Sequence, residues 1–380
     1  MKFFPIQFPM YWRLSEISAD SNNRDYSSSP SREIYLVTGA SGQLGVSVID
    51  ELEAIHAHIR CLLLEDEIPT FLSGRGLEFV HGDLREQSAV DALFANLGER
   101  DVYVIHLASK ITIEDREDPS IISINVGGTE RIVEACKRHG VKRLVYVSSV
   151  HAIEEPEDDR EISETHDFDP AKVHGQYAKS KAMATKLVLE AAETGLDALV
   201  LQPSGIIGPN DYLGGHTTEL FSQFLRRRLR QVVHGGYDFT DVRDVARAVV
   251  NATKRGRSGE CYILANRYFE IAELLNTLAE LTGLKKIRRF VPYCIAKAAC
   301  PFFALYYRVK KTRPLFSRYS LYTLRAKARF SHRKASRELG YHPRPMRETL
   351  RDTLSFLETK RSLNWRVSSK QVHRHLRAKP

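Results

Sequence analysis

The sequence lacks the features of a membrane-spanning, secreted or disulfide-stabilised protein. It contains no run of about 18 apolar residues, so a spanning helix is not expected. The N-terminal Met-Lys-Phe-Phe-Pro precedes no sustained apolar core and no small-residue cleavage site, which predicts the absence of a signal peptide. The five cysteines are scattered, odd in number and not at metal-ligand spacing. They argue against a disulfide framework and a metal site, and they predict a reduced, cytoplasmic location.

Extremes of composition are also missing. Apolar residues make up 43% and charged residues 27% of the chain, as is typical of a globular domain. The net charge of +9 favours anionic ligands, of which a dinucleotide, a nucleic acid and an acidic lipid are examples. Much of the excess lies in the last hundred residues, in runs such as Lys310-Lys311. This distribution favours solvated helix faces and a basic tail over nucleic-acid binding.

Short apolar runs alternate with segments of helical periodicity between residues 33 and 202. The alternation predicts a parallel sheet that is covered by helices on both faces. The predicted strands are Glu33–Thr38, His58–Leu64, Leu77–Val80, Val102–Leu107, Arg143–Ser148 and Asp197–Gln202. The predicted helices are Gly42–His56, Gln87–Leu97, Asp118–His139 and Gly175–Thr194.

A glycine-rich turn, Thr-Gly-Ala-Ser-Gly-Gln-Leu-Gly, follows the first predicted strand and opens the first predicted helix. Glycine permits positive φ and a close approach of backbone to ligand, and a helix N-terminus offers free N–H donors to an anion. This context indicates a cradle for the pyrophosphate of a dinucleotide. Gly39 would make the turn, Gly42 would admit the phosphates, and Gly45 would let helix and strand pack.

The spacing Gly-x-x-Gly-x-x-Gly resembles that of the short-chain dehydrogenase/reductase family. Further segments occur in the family's order, and the resemblance covers roughly residues 33–358. These segments are His81-Gly82-Asp83-Leu84, Ile105-His106-Leu107-Ala108-Ser109, Asn125-Val126-Gly127-Gly128-Thr129, Ser148-Ser149 and Tyr177-Ala178-Lys179-Ser180-Lys181. The resemblance implies an α/β fold, namely a Rossmann-type doubly wound parallel sheet with a smaller, mostly helical C-terminal substrate lobe.

The alternation of strands and helices ends after Pro203, where only short strands are expected near Tyr237–Thr240 and Glu260–Leu264. The chain is therefore divided into four parts. These are a disordered extension (1–31), an NAD(P)-binding Rossmann domain (32–202), a substrate lobe interleaved with it (203–360) and a basic tail (361–380).

The resemblance implies a nicotinamide cofactor and a set of residues that bind it. In the family, the acid matching Asp83 lies near the adenine amino group, and the residue matching Asn125 supports the active centre from behind. The implied cofactor-binding residues are Gly39, Ser41, Gly42, Gln43, Leu44, Gly45, Asp83, Leu84, Leu107, Ala108, Ser109, Asn125, Tyr177, Lys181 and Pro203. His106 is interpreted as a packed structural histidine rather than a catalyst.

The second predicted strand ends in three carboxylates, Glu65-Asp66-Glu67, and no Lys or Arg follows before Arg75. An acid at this place binds the ribose 2′-hydroxyl of NAD, whereas a 2′-phosphate needs a cation. NAD is therefore favoured as the cofactor, and NADP stays open.

The family resemblance implies a catalytic triad of Ser149, Tyr177 and Lys181, with Ser148 as the alternative serine. Tyr177 and Lys181 are four residues apart and share a helix face. A phenol can exchange a proton with a carbonyl oxygen if its pKa falls toward neutrality, and a nearby ammonium favours this fall. The serine hydroxyl would orient the substrate oxygen.

The segment from Gly235 to Ala246 resembles the dihydroflavonol-4-reductase-like branch of the extended group, which also includes bacterial sugar epimerases. The resemblance implies an oxidoreductase acting on a carbonyl or secondary alcohol, with a small-molecule substrate. An NAD-dependent nucleotide-sugar epimerase and a non-catalytic dinucleotide sensor are the alternatives. A homodimer is left open.

The apolar segment Pro292–Val309 has basic flanks and belongs to none of these motifs. Such a segment can lie on a membrane surface or contact a lipophilic substrate. A buried helix broken at Pro301 is the favoured interpretation, and peripheral membrane contact is the alternative.

Overall fold

The computed structural model describes residues 32–67, 69–113, 117–155, 160–310, 317–326 and 328–359. The predicted N-terminal extension and basic tail lie outside these residues. The strands, in chain order, are β1 (Glu33–Thr38), β2 (His58–Leu63), β3 (Glu78–His81), β4 (Asp101–His106), β5 (Arg143–Val147), β6 (Glu161–Ile162), β7 (Ala198–Pro203), β8 (Gly205–Ile207), β9 (Val232–Val233), β10 (Gly236–Asp241), β11 (Cys261–Leu264), β12 (Arg267–Glu270), β13 (Phe290–Val291) and β14 (Arg329–Phe330).

Helices connect most of these strands, and a π-helical turn (Ser123–Gly127) and a 3-10 turn (Val150–Ala152) lie beside the candidate site. The α-helices are α1 (Gln43–Glu53), α2 (Gln87–Leu93), α3 (Pro119–Ile122), α4 (Gly128–His139), α5 (Gln176–Glu193), α6 (His216–Leu225), α7 (Val242–Ala252), α8 (Ile271–Thr282), α9 (Tyr293–Lys310), α10 (Arg318–Arg325), α11 (Arg333–Leu339) and α12 (Met346–Thr359).

The central sheet has the strand order β11-β7-β5-β4-β1-β2-β3, and all its pairings are parallel. Its inner strands are mainly apolar because both faces are covered. In β1, Ile34 and Leu36 face one hydrophobic core, while Tyr35 and Val37 face the other. The predicted Rossmann-type α/β fold is thus confirmed, and the predicted bounds of the first six sheet strands are correct to within one residue.

The segment after β7 returns to the central sheet before it completes the lobe. β11 joins the sheet beside β7, and α7 packs on α1. Asp241 caps the start of α7 by accepting a hydrogen bond from the backbone N–H of Arg243 at 2.8 Å. Its carboxylate also forms an ion pair with the Arg243 guanidinium at 2.8 Å. Arg344 pairs with Asp244 at 2.7 Å and so ties the segment before α12 to the same place.

The long helix predicted over Asp118–His139 is interrupted in the structure. α3 leads into the π-helical turn, and α4 then continues to His139 and ends at Gly140 in the left-handed conformation, as its glycine predicted. Within the π-helical turn Asn125 is buried, and its backbone carbonyl accepts a hydrogen bond from Thr129 Oγ1 at 2.7 Å. Periodicity alone could not detect the turn, because it spans only the five residues Ser123–Gly127, too few to establish a different repeat.

The favoured interpretation of Pro292–Val309 was wrong on two points. α9 continues through Pro301, and side chains along it are exposed, including Phe302 at 77%. The helix tolerates the proline because Pro301 and Lys297 both lie on its exposed side, where water can satisfy the carbonyl left without a donor. Within the described parts of the chain, no helix combines the length and the apolar character needed to cross a bilayer.

Two glycines let the turn after β1 pack tightly. A Cβ on Gly39, which has a φ of +74°, would lie 2.7 Å from the backbone nitrogen of Ala108. A Cβ on Gly45 would lie 2.1 Å from the carbonyl oxygen of Gly39. The start of α1 therefore touches the end of β1 at a distance that only glycine permits.

Gly45→Ala should destabilise the fold, because the added methyl group meets backbone rather than a side chain that can move away. Overpacking typically costs about 1–3 kcal/mol, and a loss of at least about 2 kcal/mol in the free energy of unfolding is expected in urea denaturation. Gly127→Ala is the control, since its Cβ would meet only the flexible end of Arg131 at 3.2 Å. Equal stability of the two variants would contradict the described packing.

Candidate active site

Three polar side chains meet where β5 ends. Lys181 Nζ donates a hydrogen bond to the carbonyl oxygen of Val147, the last residue of β5, at 2.9 Å. Ser149 follows two residues later, and its hydroxyl is close enough to the Tyr177 phenol to lower the pKa of that group. Tyr177 and Lys181 lie one turn apart on α5. The structure thus brings the three predicted catalytic residues together at the carboxyl edge of the sheet.

The two serines after β5 have different surroundings. The Ser148 hydroxyl lies 2.6 Å from Thr185 Oγ1 in a buried hydrogen bond with α5. The Ser149 hydroxyl accepts a hydrogen bond from the backbone N–H of His151 at 3.2 Å and lies near the Tyr177 phenol, whose pKa it lowers. A hydroxyl that orients a substrate oxygen must lie beside the phenol, so the geometry favours Ser149 over Ser148.

Lys181 is almost completely buried, with 2% of its surface exposed. Burial lowers the pKa of its amine to about 7, because the charged form loses its hydration. Besides the Val147 carbonyl, the amine lies 3.4 Å from the Tyr146 hydroxyl and 5.0 Å from the centre of the Tyr146 ring. A buried titratable amine next to a phenol is the kind of group that is enriched at functional sites.

The expected fall in the pKa of Tyr177 does not occur in the structure. Burial raises the pKa of its phenol to about 12, and the hydrogen bond with Ser149 offsets only part of this shift. The expectation failed because the Lys181 amine is directed to the strand carbonyl and does not contribute to the shift of Tyr177. In this state Tyr177 is a neutral phenol and can donate a proton or a hydrogen bond.

The turn after β1 fits the pyrophosphate of a dinucleotide. The residue before α1 is Gly42, which has no side chain that could cap the helix. The N–H groups of the first turn are therefore not capped by this residue. At the end of neighbouring β4, the buried hydroxyl of Ser109 has no hydrogen-bond partner. A tight glycine cradle with an unsatisfied hydroxyl beside it matches the polar, close-fitting surface that such a ligand needs.

Other predicted cofactor residues fix the shape of this turn. The Ser41 hydroxyl donates to Glu67 Oε1 at 3.0 Å, and Gln43 Nε2 donates to the Gly208 carbonyl oxygen at 2.8 Å. Leu44 packs against the core on the α1 side of the sheet. Ser41 thus brings one of the three predicted carboxylates, Glu67, next to the glycine-rich turn.

The predicted residues after β4 touch the same turn. The backbone N–H groups of Leu107 and Ala108 donate to the carbonyl oxygen and the hydroxyl of Thr38, each at 3.2 Å. Thr38 Oγ1 also lies 2.7 Å from His106 Nδ1. His106 is fully buried, and burial lowers the pKa of its imidazole to about 3. It therefore serves as a neutral packed residue, as the sequence interpretation had it.

Asn125 connects the loop after β4 with α5. Its side-chain amide donates to the Lys110 carbonyl oxygen at 3.0 Å and to the Ser180 hydroxyl at 2.9 Å. It also accepts a hydrogen bond from the Lys110 N–H at 2.7 Å. Asn125 thus lies behind the helix that carries Tyr177, where the family resemblance had placed it.

The remaining predicted residues lie at the ends of β3 and β7. The carboxylate of Asp83 accepts hydrogen bonds from the backbone and guanidinium of Arg85, and the Arg85 guanidinium lowers its pKa. Leu84 is buried against Gly128. Pro203 ends β7 and is paired with Leu264 of β11.

An aromatic pocket beside Tyr177 was not found from the sequence. The His151 ring stacks on Tyr237 with centroids 5.1 Å apart, and it meets the Tyr177 and Tyr319 rings at 6.2 Å each. Burial lowers the pKa of His151 to about 4, so its imidazole is neutral near pH 7. The only sequence signal was the position of His151 two residues after Ser149, because Tyr237 and Tyr319 come from distant segments.

The charged side chains described at this pocket are a carboxylic acid and a lysine that is paired with carboxylates. Glu155 lies on its wall, and burial raises the pKa of its carboxyl. Among the described residues that line the pocket, the one lysine or arginine is Lys172. Lys172 pairs with Glu154 at 3.2 Å and with Asp167 at 3.7 Å. The described wall therefore offers no uncompensated cation to a phosphate group.

The sequence profile of the NAD dependent epimerase/dehydratase family matches residues 35–265, a range that includes every predicted site residue. The protein named Sterol demethylase protein B from Methylococcus capsulatus is 29% identical over 327 residues, which are 84% of this chain and 97% of that protein. The putative dihydroflavonol 4-reductase from Synechocystis is 30% identical over 264 residues, 68% of this chain and 76% of that protein.

Among solved structures, the crystal structure of gox2253 is similar to this chain with a TM-score of 0.73 at 26% identity. The match covers 86% of this chain and 98% of that one. The likeness therefore extends beyond the central sheet into the lobe that follows β7.

The burial of Lys181 predicts a stability difference that changes with pH. Its folded-state pKa of about 7 lies below its ordinary value of 10.5. Between these values the unfolded chain binds more protons than the folded one, so this group makes stability rise with pH across that window. Lys181→Met removes the titrating amine. The free energy of unfolding of the variant minus that of wild type should be largest at about pH 7. This difference should decrease toward about pH 10.

Urea denaturation of both proteins at several pH values measures this difference. Lys179→Met is the matched control, because Lys179 lies on the exposed side of the same helix. The control should show no trend with pH. The absence of a trend for Lys181→Met would contradict the burial of its amine.

Proposed function

The chain belongs to the NAD dependent epimerase/dehydratase family and is an enzyme of the extended short-chain dehydrogenase/reductase type; from this premise we propose that it reduces a carbonyl group, or oxidises the matching secondary alcohol, with NAD. The observation that carries the proposal is the convergence of Ser149, Tyr177 and Lys181 at the carboxyl end of β5. This group lies one strand away from the segment after β4 that touches the glycine-rich turn.

The glycine-rich turn and the segment after β4 would hold the cofactor. The N–H groups at the start of α1 would bind the pyrophosphate, and the Ser109 hydroxyl would gain the partner that it lacks. Lys181 would bind the ribose beside the nicotinamide. When bound, the reduced cofactor supplies a hydride to the substrate carbon.

The position of Glu67 supports NAD over NADP. Its carboxylate accepts the Ser41 hydroxyl and also the backbone N–H of Leu64, just past β2, at 3.2 Å. It thus joins the end of the second strand to the glycine-rich turn, where the adenine ribose lies in this fold. A carboxylate there can bind a ribose hydroxyl but would repel a 2′-phosphate.

Tyr177 would act as the acid and Ser149 as the orienting hydroxyl. A neutral phenol donates its proton to the carbonyl oxygen as negative charge develops there, and the Ser149 hydroxyl would hold that oxygen by a second hydrogen bond. Lys181 keeps α5 fixed on β5 through the Val147 carbonyl. In the direction of alcohol oxidation the phenolate would be the base.

The aromatic pocket favours an apolar carbonyl compound as the substrate. Its described walls include the neutral His151 ring and the side chains of Tyr319 and Tyr322, which suit a flat or ring-containing molecule. A nucleotide sugar would bring two phosphates to a wall whose described cation, Lys172, is already paired with carboxylates. Reduction of an apolar ketone is therefore preferred over sugar epimerisation.

Cofactor turnover distinguishes the two reactions. A reductase consumes NADH when it is offered apolar ketones, whereas an epimerase interconverts UDP-sugars with no net change in NADH absorbance. Isomerisation of a UDP-sugar without NADH consumption would overturn the proposed reaction and support the epimerase alternative.

Tyr177→Phe should lose most turnover while it keeps cofactor affinity. The variant retains the ring but cannot donate a proton, and loss of a general acid typically lowers kcat by about 10²–10⁴-fold. NADH consumption with a ketone substrate measures the rate, and titration of protein fluorescence with NADH measures binding. Tyr103→Phe is the control, because Tyr103 lies within β4, away from the carboxyl edge of the sheet, and stacks on Tyr35 of β1. Comparable turnover of the Tyr177 variant would refute the assigned role.

The two serines should respond differently to replacement by alanine. Ser149→Ala should lower kcat by about 10²-fold, as expected when one donor to a reacting oxygen is removed. Ser148→Ala leaves the Thr185 hydroxyl unpaired in the core and should instead cost about 1–3 kcal/mol in stability with kcat largely retained. Steady-state kinetics and urea denaturation of both variants test this. The reverse pattern would assign the catalytic role to Ser148.

A further inference from the structure

The positive charge of the chain is concentrated in one segment. Residues 281–337 contain 16 Lys or Arg and no Asp or Glu. The chain as a whole has 56 basic and 47 acidic residues, so the rest of it holds 40 basic against 47 acidic residues and is net negative. Exposed cations of such a segment attract anionic partners.

The same segment carries a row of exposed apolar side chains on α9. Ile295, Phe302 and Val309 are 58%, 77% and 72% exposed. They are spaced seven residues apart, which places them on one face of a helix over four turns. Phe303 adds a further side chain that is 41% exposed. We call this row the α9 face.

The opposite side of α9 is already in use, so the orientation of the α9 face is fixed. Ala296 and Cys300 are buried in a small core with Val233 of β9 and Leu321 of α10. Lys297 lies exposed on α9, and Arg288 and Arg289 lie exposed just before β13. This part of the chain therefore presents both apolar side chains that point outward and exposed cations.

This combination fits an anionic lipid surface better than other partners. A second copy of the chain would bring a like-charged segment against this one, which opposes association through the α9 face. A nucleic acid would use the cations but not the aliphatic side chains of Ile295 and Val309. A bilayer with anionic headgroups takes both, because apolar side chains enter the headgroup boundary while Lys and Arg meet the phosphates.

We propose that the α9 face and the exposed cations of this part of the chain dock the enzyme peripherally on an anionic membrane. The proposal does not rest on the catalytic assignment. It has a consequence for the site, because α10 contacts α9 through Leu321 and contributes Tyr319 and Tyr322 to the aromatic pocket. Docking would hold the wall of the pocket close to the lipid, where apolar substrates accumulate.

Sedimentation of the full chain with vesicles tests the proposal. Vesicles of phosphatidylcholine alone are compared with vesicles of equal parts phosphatidylcholine and phosphatidylglycerol. Binding to the anionic vesicles should be at least about tenfold tighter and should weaken as salt is raised. Equal binding to both vesicles, or no binding to the anionic ones, would overturn the proposal.

Variants separate the α9 face from other basic parts of the chain. The double variant Phe302→Ser, Val309→Ser and the variant Lys297→Glu should each reduce binding to the anionic vesicles, the former by about tenfold or more. Matched controls are Ile55→Ser and Lys137→Glu, which change an apolar residue that is 55% exposed and an exposed lysine on other surfaces. The controls should bind as wild type does.

Two outcomes with these variants would contradict the assignment. Since residues 360–380 stay intact in every variant, undiminished binding by the double variant would place the contact elsewhere. Light scattering of the wild type and the double variant shows whether the substitutions dissociate an oligomer, which would identify the α9 face as a contact between copies. Thermal unfolding verifies that the variants remain folded, as expected for changes at exposed positions.

Discussion

The candidate site depends on a buried amine held by the last carbonyl group of a central strand. Lys181 is 2% exposed, and burying a charge is costly unless it is well bonded. Its bond to Val147 fixes the start of α5 over the end of β5. Tyr177, one turn earlier, is thereby brought to Ser149. The fold itself does not need a lysine at this depth, and an apolar residue would pack with less penalty, so the position is explained by the site.

Parallel topology brings this group to the glycine-rich turn. β4 lies between β1 and β5, and the segments after all three strands leave the same edge of the sheet. A row of buried hydrogen bonds then fixes their spacing, from Thr38 through His106 to Thr129 of α4. Because neutral His106 lies between two hydroxyl groups, it links β1, β4 and α4 without adding charge near the amine of Lys181. The site is therefore built on rigid elements rather than on flexible loops.

Local patterns in the sequence were sufficient to predict the central sheet and the meeting of Ser149, Tyr177 and Lys181 at its edge, but not their surroundings. Most of the strands are mainly apolar runs bounded by glycine or polar residues, so their bounds could be predicted to within a residue. The family resemblance preferred Ser149 to Ser148, but the different surroundings of the two hydroxyl groups, beside Tyr177 and Thr185 respectively, are tertiary and could not be predicted. The pKa of Tyr177 was misjudged, because sequence spacing places Lys181 nearby but says nothing about burial or about the bond to Val147.

The aromatic pocket shows why substrate choice is harder to predict than the reaction. His151 follows the catalytic strand, whereas Tyr237 and Tyr319 come from β10 and α10, which are far apart in the chain. No periodic pattern links such positions, because their contacts depend on how the lobe closes over the sheet. The residues to which we assign cofactor binding and proton transfer are attached to the sheet, so they can stay constant. The lobe can then change its rings and charges without disturbing the bond between Lys181 and β5, and our proposal therefore assigns the choice of substrate to the lobe.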